Sequence, residues 1–140
     1  RLSCLCKENV VDALDFLRAD NHTKHICKKL VNSTPIPNDK IFIKKYISHI
    51  GREDADVVIN YRSALYNEDI DGVARSVINS NECLSISELA IDGNDLLSIG
   101  SDGKFIGKAL SSLLNFVLEG KIENKKESLL IAAKNIDNLF

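Results

Sequence analysis

No methionine occurs in the 140 residues, and the chain opens on Arg1, so we expect this to be a piece of a longer polypeptide; a processed mature protein would look the same. Nowhere do apolar residues run for the roughly 20 positions that a bilayer crossing needs, and Arg1 to Val10 lacks the apolar middle of a secretory signal. A cytoplasmic setting with no membrane contact is the expectation. CxxC pairs are also missing. Cys4 and Cys6 sit near the start, while Cys27 and Cys83 stand alone in helical patterns, so reduced thiols are expected rather than a disulfide frame or a zinc site. A large charge excess is lacking too: the net charge of -2 is not that of a general nucleic-acid binder. No strict two-residue alternation, internal repeat or low-complexity stretch appears.

What the chain does have is apolar content and helical spacing. With 44% hydrophobic and 27% charged residues it can bury a core and stay dissolved. Its length suits one compact domain or two small helical subdomains packed end to end. Charge is unevenly distributed. Residues 1–51 carry nine Lys and Arg against five acids, 52–100 carry three against ten, and 101–140 carry six against five. An acidic middle therefore separates two mildly basic ends, and any phosphate contact is expected at the ends.

The periodicity predicts an all-α bundle of about seven helices. Val10, Val11, Leu14 and Leu17 mark the first, and a second spans about His22 to Val31 behind a cap at Asn21. Ser33 to Asp39, with Pro35 and Pro37, reads as a loop. Ile43, Tyr46, Ile47 and Ile50 form a third helix closed by Gly51; Val58, Ile59, Arg62 and Leu65 form a fourth that starts near Glu53. Ile70, Val73, Ala74, Val77 and Ile78 give the clearest amphipathic stripe. Short turns are expected around Ser87 to Ala90 and Asn94 to Ile99. Ile106 to Val117 makes a helix ending near Gly120, and a last helix opens at Asn124, with Asn124 and Glu127 spaced like a capping box. A soft boundary near Asn67 divides residues 1–66 from 67–140.

Familiar catalytic patterns are absent. Gly103 to Ala109 looks at first like a phosphate-binding loop, but its spacing is one residue short, Ala109 replaces the Ser or Thr that holds magnesium, and no strand precedes it. Two readings of Gly103 and Gly107 stand side by side: close helix packing, or a helix start whose free N–H groups and nearby lysines seat a nucleic-acid phosphate. Asp54 with Asp56, and Asp69 with Asp71, have DxD spacing, yet two residues apart on a helix point different ways. His22 and His25 have no third metal ligand at a telling distance in sequence. No nucleophile motif is present. Catalytic residues and metal ligands are therefore expected to be none.

One long pattern is specific. Leu89-Ala90-Ile91-Asp92-Gly93-Asn94-Asp95-Leu96-Leu97, then Ile99-Gly100, Gly103, Ile106-Gly107, Leu110, Leu113-Leu114, Val117-Leu118, Gly120-Lys121, Asn124 and Leu129-Leu130 resemble the carboxy-terminal segment of bacterial tRNA nucleotidyltransferases, the family of CCA-adding enzymes and poly(A) polymerases. A fainter match over Leu17 to Val31 and Ile43 to Gly51 resembles the end of that family's HD-type region. Asn32-Ser33-Thr34 stands where a His-Asp often occurs, a departure from the pattern that an HD phosphohydrolase site needs. Asp92 replaces the family's Asn, Asp102-Gly103 its Pro-Gly, and Arg62-Ser63-Ala64 its Arg-Ala-Asp.

The resemblance implies that residues 1–66 are an HD-related helical body and 67–140 a tRNA-binding tail. It implies structural roles for Ile91, Gly93, Asp95, Gly103, Gly107 and Asn124. The parent enzyme would transfer CMP and AMP from CTP and ATP, with Mg, to tRNA 3′ ends, using an amino-terminal catalytic head that has no counterpart here. This segment alone would hold tRNA without a cofactor or catalytic centre of its own. Lys104, Lys108, Lys121, Lys125 and Lys126, clustered around the last two helix starts, are the candidate nucleic-acid contacts. The rival expectation is an HD-derived module that binds another chain or forms a homodimer through an exposed apolar patch.

Overall fold

The computed structural model describes residues 10–31, 37–66 and 70–137. Cys4, Cys6, the Asn32 to Thr34 stretch, most of the expected proline loop and the Asn67 boundary lie outside them. Among the described residues there is no strand, and the all-α expectation holds: eight α-helices and one 3-10 turn. None of these helices is long and apolar enough to cross a membrane. The chain divides into two compact units, Arg1–Asn79 and Ser80–Phe140.

The first unit contains α1 (Val10–Phe16), α2 (Asn21–Val31), α3 (Lys40–Ile50), α4 (Arg52–Tyr66) and α5 (Asp71–Ile78). Four of these helices turn an apolar stripe inward: Val10 and Leu14 in α1; Ile43, Ile47 and Ile50 in α3; Ala55, Val58 and Ile59 in α4; Ala74 and Val77 in α5, preceded by Ile70; α2 buries Leu30. Burying one such Val, Leu or Ile contributes roughly 1.5–3 kcal/mol, enough to set each helix's orientation. The unit runs to Asn79, since α5 packs on α3 and α4. Polar ties reinforce that packing. Ser63 Oγ donates to Asp71 Oδ1 at 2.7 Å, and the Arg52 guanidinium donates to the carbonyl of Ile78 at the end of α5.

Capping in this unit follows local chemistry, with one shift. The Asp39 carboxylate accepts from the N–H groups of Ile41 and Phe42 at 2.9 and 3.1 Å, and Gly51 N–H closes α3 on Ile47 O. For α2, the expected cap at Asn21 is replaced by Asp20: its carboxylate accepts from Thr23 N–H at 2.9 Å, so Asn21 is already helical. An aspartate held by an N–H and a hydroxyl of the same residue outcompetes its neighbouring amide.

The second unit contains the 3-10 turn Ile86–Glu88, α6 (Gly93–Ser98), α7 (Ile106–Leu118) and α8 (Lys126–Asp137). Its core is Leu84, Leu89, Ile91, Leu96, Ala109, Leu113, Leu118, Leu129 and Ala133. Cys83 is buried but lies between helices, not within one, and its thiol donates to Ser85 O at 3.4 Å. The expected turn at Asn94 to Ile99 is a short α-helix instead. Asp92 accepts from the N–H groups of Asn94 and Asp95, while Asp95 accepts from Asp92 N–H, and this reciprocal box nucleates a helix that periodicity over six residues cannot reveal. Ser85 and Glu88 form a second such box around the 3-10 turn.

Candidate functional site

Residues 88–95 of the second unit are fastened from two directions. Asn124 Oδ1 accepts from Ala90 N–H and its Nδ2 donates to Glu88 O, both at 2.8 Å. Lys126 Nζ donates to Asp95 Oδ1 at 2.6 Å. The same segment abuts α7. A Cβ at Gly93 would stand 3.2 Å from Ile106 Cγ2, so the missing side chain lets the start of α6 lie against the first residue of α7. Beside this junction lies an open groove of about 420 Å³ that Leu89, Ile91, Asp92 and Leu110 help to line.

These contacts overturn one expectation. Asn124 does not open the last helix and forms no capping box with Glu127, because both ends of its amide are committed to the 88–90 backbone. The helix begins two residues later, at Lys126, and Leu129 N–H returns to Lys125 O. The close-packing reading of Gly103 and Gly107 also fails: a Cβ at either would meet nothing within 4 Å.

Of the five singled-out lysines, three hold carboxylates at 2.6 Å: Lys121 with Glu119, Lys125 with Glu123 and Lys126 with Asp95. The Lys125 hydrogen bond pulls the Glu123 carboxyl below its usual range, and Glu123 raises Lys125 in return. Asp95 is lowered by the Lys126 hydrogen bond and then by Asp92 N–H, and Lys126 is raised chiefly by its hydrogen bond to Asp95. Lys104 and Lys108 differ. Among the described residues neither is paired with a carboxylate; Lys108 Nζ lies 5.8 Å from the Phe105 ring centroid.

Both lysines flank the start of α7, which has a particular electrostatic character. Phe105 occupies the N-cap position, gives no side-chain hydrogen bond, and the first turn has no acid. The positive end of a 13-residue helix is therefore left without a side-chain cap, whereas aspartates cap α3 and α6. Asp102 is the nearby acid in sequence, and its Oδ1 is engaged by Lys104 N–H at 3.0 Å. The exposed Gly107 leaves room for a ligand to approach the backbone.

Among the described residues no three His, Cys, Asp or Glu side chains gather closely enough to hold a metal ion. Asp54 and Asp56 diverge as helix geometry requires, Asp54 buried and Asp56 exposed. Asp54 instead meets Lys29 Nζ at 2.9 Å, with His22 Nε2 at 4.0 Å. Sequence reasoning missed the Asp54–Lys29 and Asp95–Lys126 pairs and both reciprocal caps. Only the caps had a local signal, in the three-residue spacings Ser85 to Glu88 and Asp92 to Asp95.

The family model described as tRNA nucleotidyltransferase domain 2, putative, matches residues 51–133, which takes in α4, α5 and nearly all of the second unit. The chain belongs to this tRNA nucleotidyltransferase family. The resemblance carried by Leu89 to Leu130 is thus borne out. The CCA-adding enzyme of Enterococcus faecalis (strain ATCC 700802 / V583) is 32% identical over 87 residues, which are 61% of this chain and 21% of that enzyme. This member of the tRNA nucleotidyltransferase family thus matches about a fifth of the length of that relative. No solved structure matches.

Proposed function

We propose that the chain is the carboxy-terminal body and tail of a CCA-adding tRNA nucleotidyltransferase, holding tRNA by its backbone while a catalytic head outside this sequence adds C and A to the 3′ end. Magnesium, CTP and ATP belong to that head. Holding one end of a substrate fixes the other, and such positioning lowers a barrier without bond-making groups of its own. The observation that carries the reading is the uncapped, acid-free start of α7 flanked by Lys104 and Lys108, within the stretch matched by the tRNA nucleotidyltransferase family. Phosphate oxygens suit such a helix start, since they accept from its free N–H groups and from both ammonium groups.

Lys121 and Lys125 are weaker contributors, because a phosphate must first displace Glu119 or Glu123. Replacing Lys104 and Lys108 by Ala should weaken tRNA binding by this chain and reduce the steepness of its salt dependence by roughly 1.4–1.8 units of log K per log salt, as the loss of two phosphate contacts requires. Binding titrations between low and moderate salt test this, and an unchanged slope removes the proposal. The second reading, association with another chain, is favoured by the exposure of Phe16 (88%) and Phe42 (56%) in the first unit. Size-exclusion chromatography without RNA separates the two readings.

A further inference from the structure

We propose that Lys126 and Asn124 are positioning residues and not phosphate ligands: they fasten the 88–95 segment, and through Gly93 the start of α7, so that Lys104 and Lys108 meet the RNA backbone in a fixed geometry. This inference rests on the reading of the second unit as a tRNA-backbone contact.

Three observations support it. First, the Lys126 ammonium donates to Asp95 Oδ1, while Asp95 Oδ2 accepts from Asp92 N–H, so its partner is itself anchored in the reciprocal cap that starts α6. A lysine aimed at an already fixed carboxylate acts as a strut. Second, Asn124 spends its acceptor on Ala90 N–H and its donor on Glu88 O, tying the connection between α7 and α8 to the same segment. Third, that segment packs against the start of α7, between Lys104 and Lys108 in sequence: a Cβ at Gly93 would stand 3.2 Å from Ile106 Cγ2. A shift of 88–95 therefore reaches the α7 start directly, and phosphate hydrogen bonds tolerate little misplacement.

The competing assignment makes Lys126 a phosphate ligand masked by Asp95, and the two predict opposite signs. The test uses the chain itself, with Asp95→Asn, Lys126→Gln, the double variant and Asn124→Ala. Affinity for a labelled tRNA is measured against salt concentration, with helical content and thermal midpoint followed by circular dichroism. A strut predicts that each single variant loses affinity by roughly five- to tenfold, that the Asp95/Lys126 double variant loses no more than either single one, and that the salt slope stays unchanged.

Tighter binding by Asp95→Asn, together with a shallower slope for Lys126→Gln, would overturn the proposal in favour of a masked ligand. Unchanged affinities with lowered thermal midpoints would overturn it too, leaving a merely structural tie. Asp95→Asn is isosteric and Lys126→Gln keeps an exposed polar side chain, so they keep the test decisive even where Asn124→Ala fails to fold. Absence of tRNA binding by the unaltered chain would remove the functional reading as well, an outcome distinct from the other two.

Discussion

The two units hold their helices by different means. In the second, much of the fixing is local: two reciprocal caps start the 3-10 turn and α6, and left-handed glycines end α6 and α7. At the end of α7, Gly120 N–H returns to Val117 O and Lys121 N–H to Phe116 O, the paired closure of a Schellman motif. The first unit relies more on ionic groups buried between its helices. Arg62 of α4 is fully buried, its guanidinium carbon 4.8 Å from the Tyr46 ring centroid of α3. Lys29 of α2 reaches Asp54 and also donates to the carbonyl of Ile50. Even the closure of α1 uses a non-glycine residue, Arg18, at φ 52°. Local motifs make a segment's shape independent of its neighbours. Buried ionic groups make it depend on them.

Arg62 gives the sharpest way to break that contrast. Truncation to Ala removes a buried cation stacked on Tyr46 and leaves a cavity, so Arg62→Ala should cost about 3 kcal/mol or more. All three tyrosines, Tyr46, Tyr61 and Tyr66, lie in the first unit and the chain has no tryptophan, so tyrosine emission during denaturant unfolding reports on that unit alone. A midpoint unmoved in tyrosine emission would show that the buried cation is not what holds the first unit.

Acid provides the next test. Hydrogen bonding by Lys29, opposed by desolvation and aided by the charges of Lys29, His22 and His25, holds the Asp54 carboxyl below its usual value of 3.8. The folded state thus releases this proton more readily than the unfolded chain. Its stabilisation is complete above the unfolded carboxylate range and is lost as pH falls through the lower folded value. Asp54→Asn should cost about 2 kcal/mol near neutrality, the scale of a hydrogen bond to a charged group. The variant's stability should also fall less steeply below about pH 4 than that of the unaltered chain. A parallel acid decline in the two proteins would remove Asp54 from the account.

This difference between the units also explains what could be read from the sequence. Fold class and helix positions followed from apolar spacing, as with Ile43, Ile47 and Ile50, because burial of a stripe is a property of one segment. The family followed from glycines and aspartates at fixed intervals between Leu89 and Gly120, which encode turns locally. Arg62 was legible as a helix-face residue but not as a buried one, since its ring partner lies 16 residues away in a different helix. Asn124 misled for the same reason. Its spacing to Glu127 satisfied a local rule, while its amide was taken by backbone 34 and 36 residues earlier. The uncapped start of α7 was partly visible, because Gly103, Gly107 and two lysines mark it, whereas the carboxylates engaging Lys121, Lys125 and Lys126 depend on side-chain reach.

The smallest effects test the helix endings themselves. A Cβ at Gly120 would meet nothing within 4 Å, so Gly120→Ala changes little except the cost of holding φ at 71°. A side chain in that region costs about 1 kcal/mol, and the variant should lose that amount. Arg18 is the converse. It already bears the left-handed penalty at φ 52°, and its N–H still closes on Asp15 O while Ala19 N–H closes on Leu14 O, the same paired closure that Gly120 provides. Arg18→Gly should therefore stabilise the first unit, by less than about 1 kcal/mol because glycine's greater unfolded-state freedom offsets part of the relief. Thermal melts of the two single variants, followed by circular dichroism, should move in opposite directions. If Arg18→Gly lowers the midpoint instead, the arginine side chain makes a contribution at the end of α1 that outweighs its backbone strain, and the two units would then differ in more than how their helices are closed.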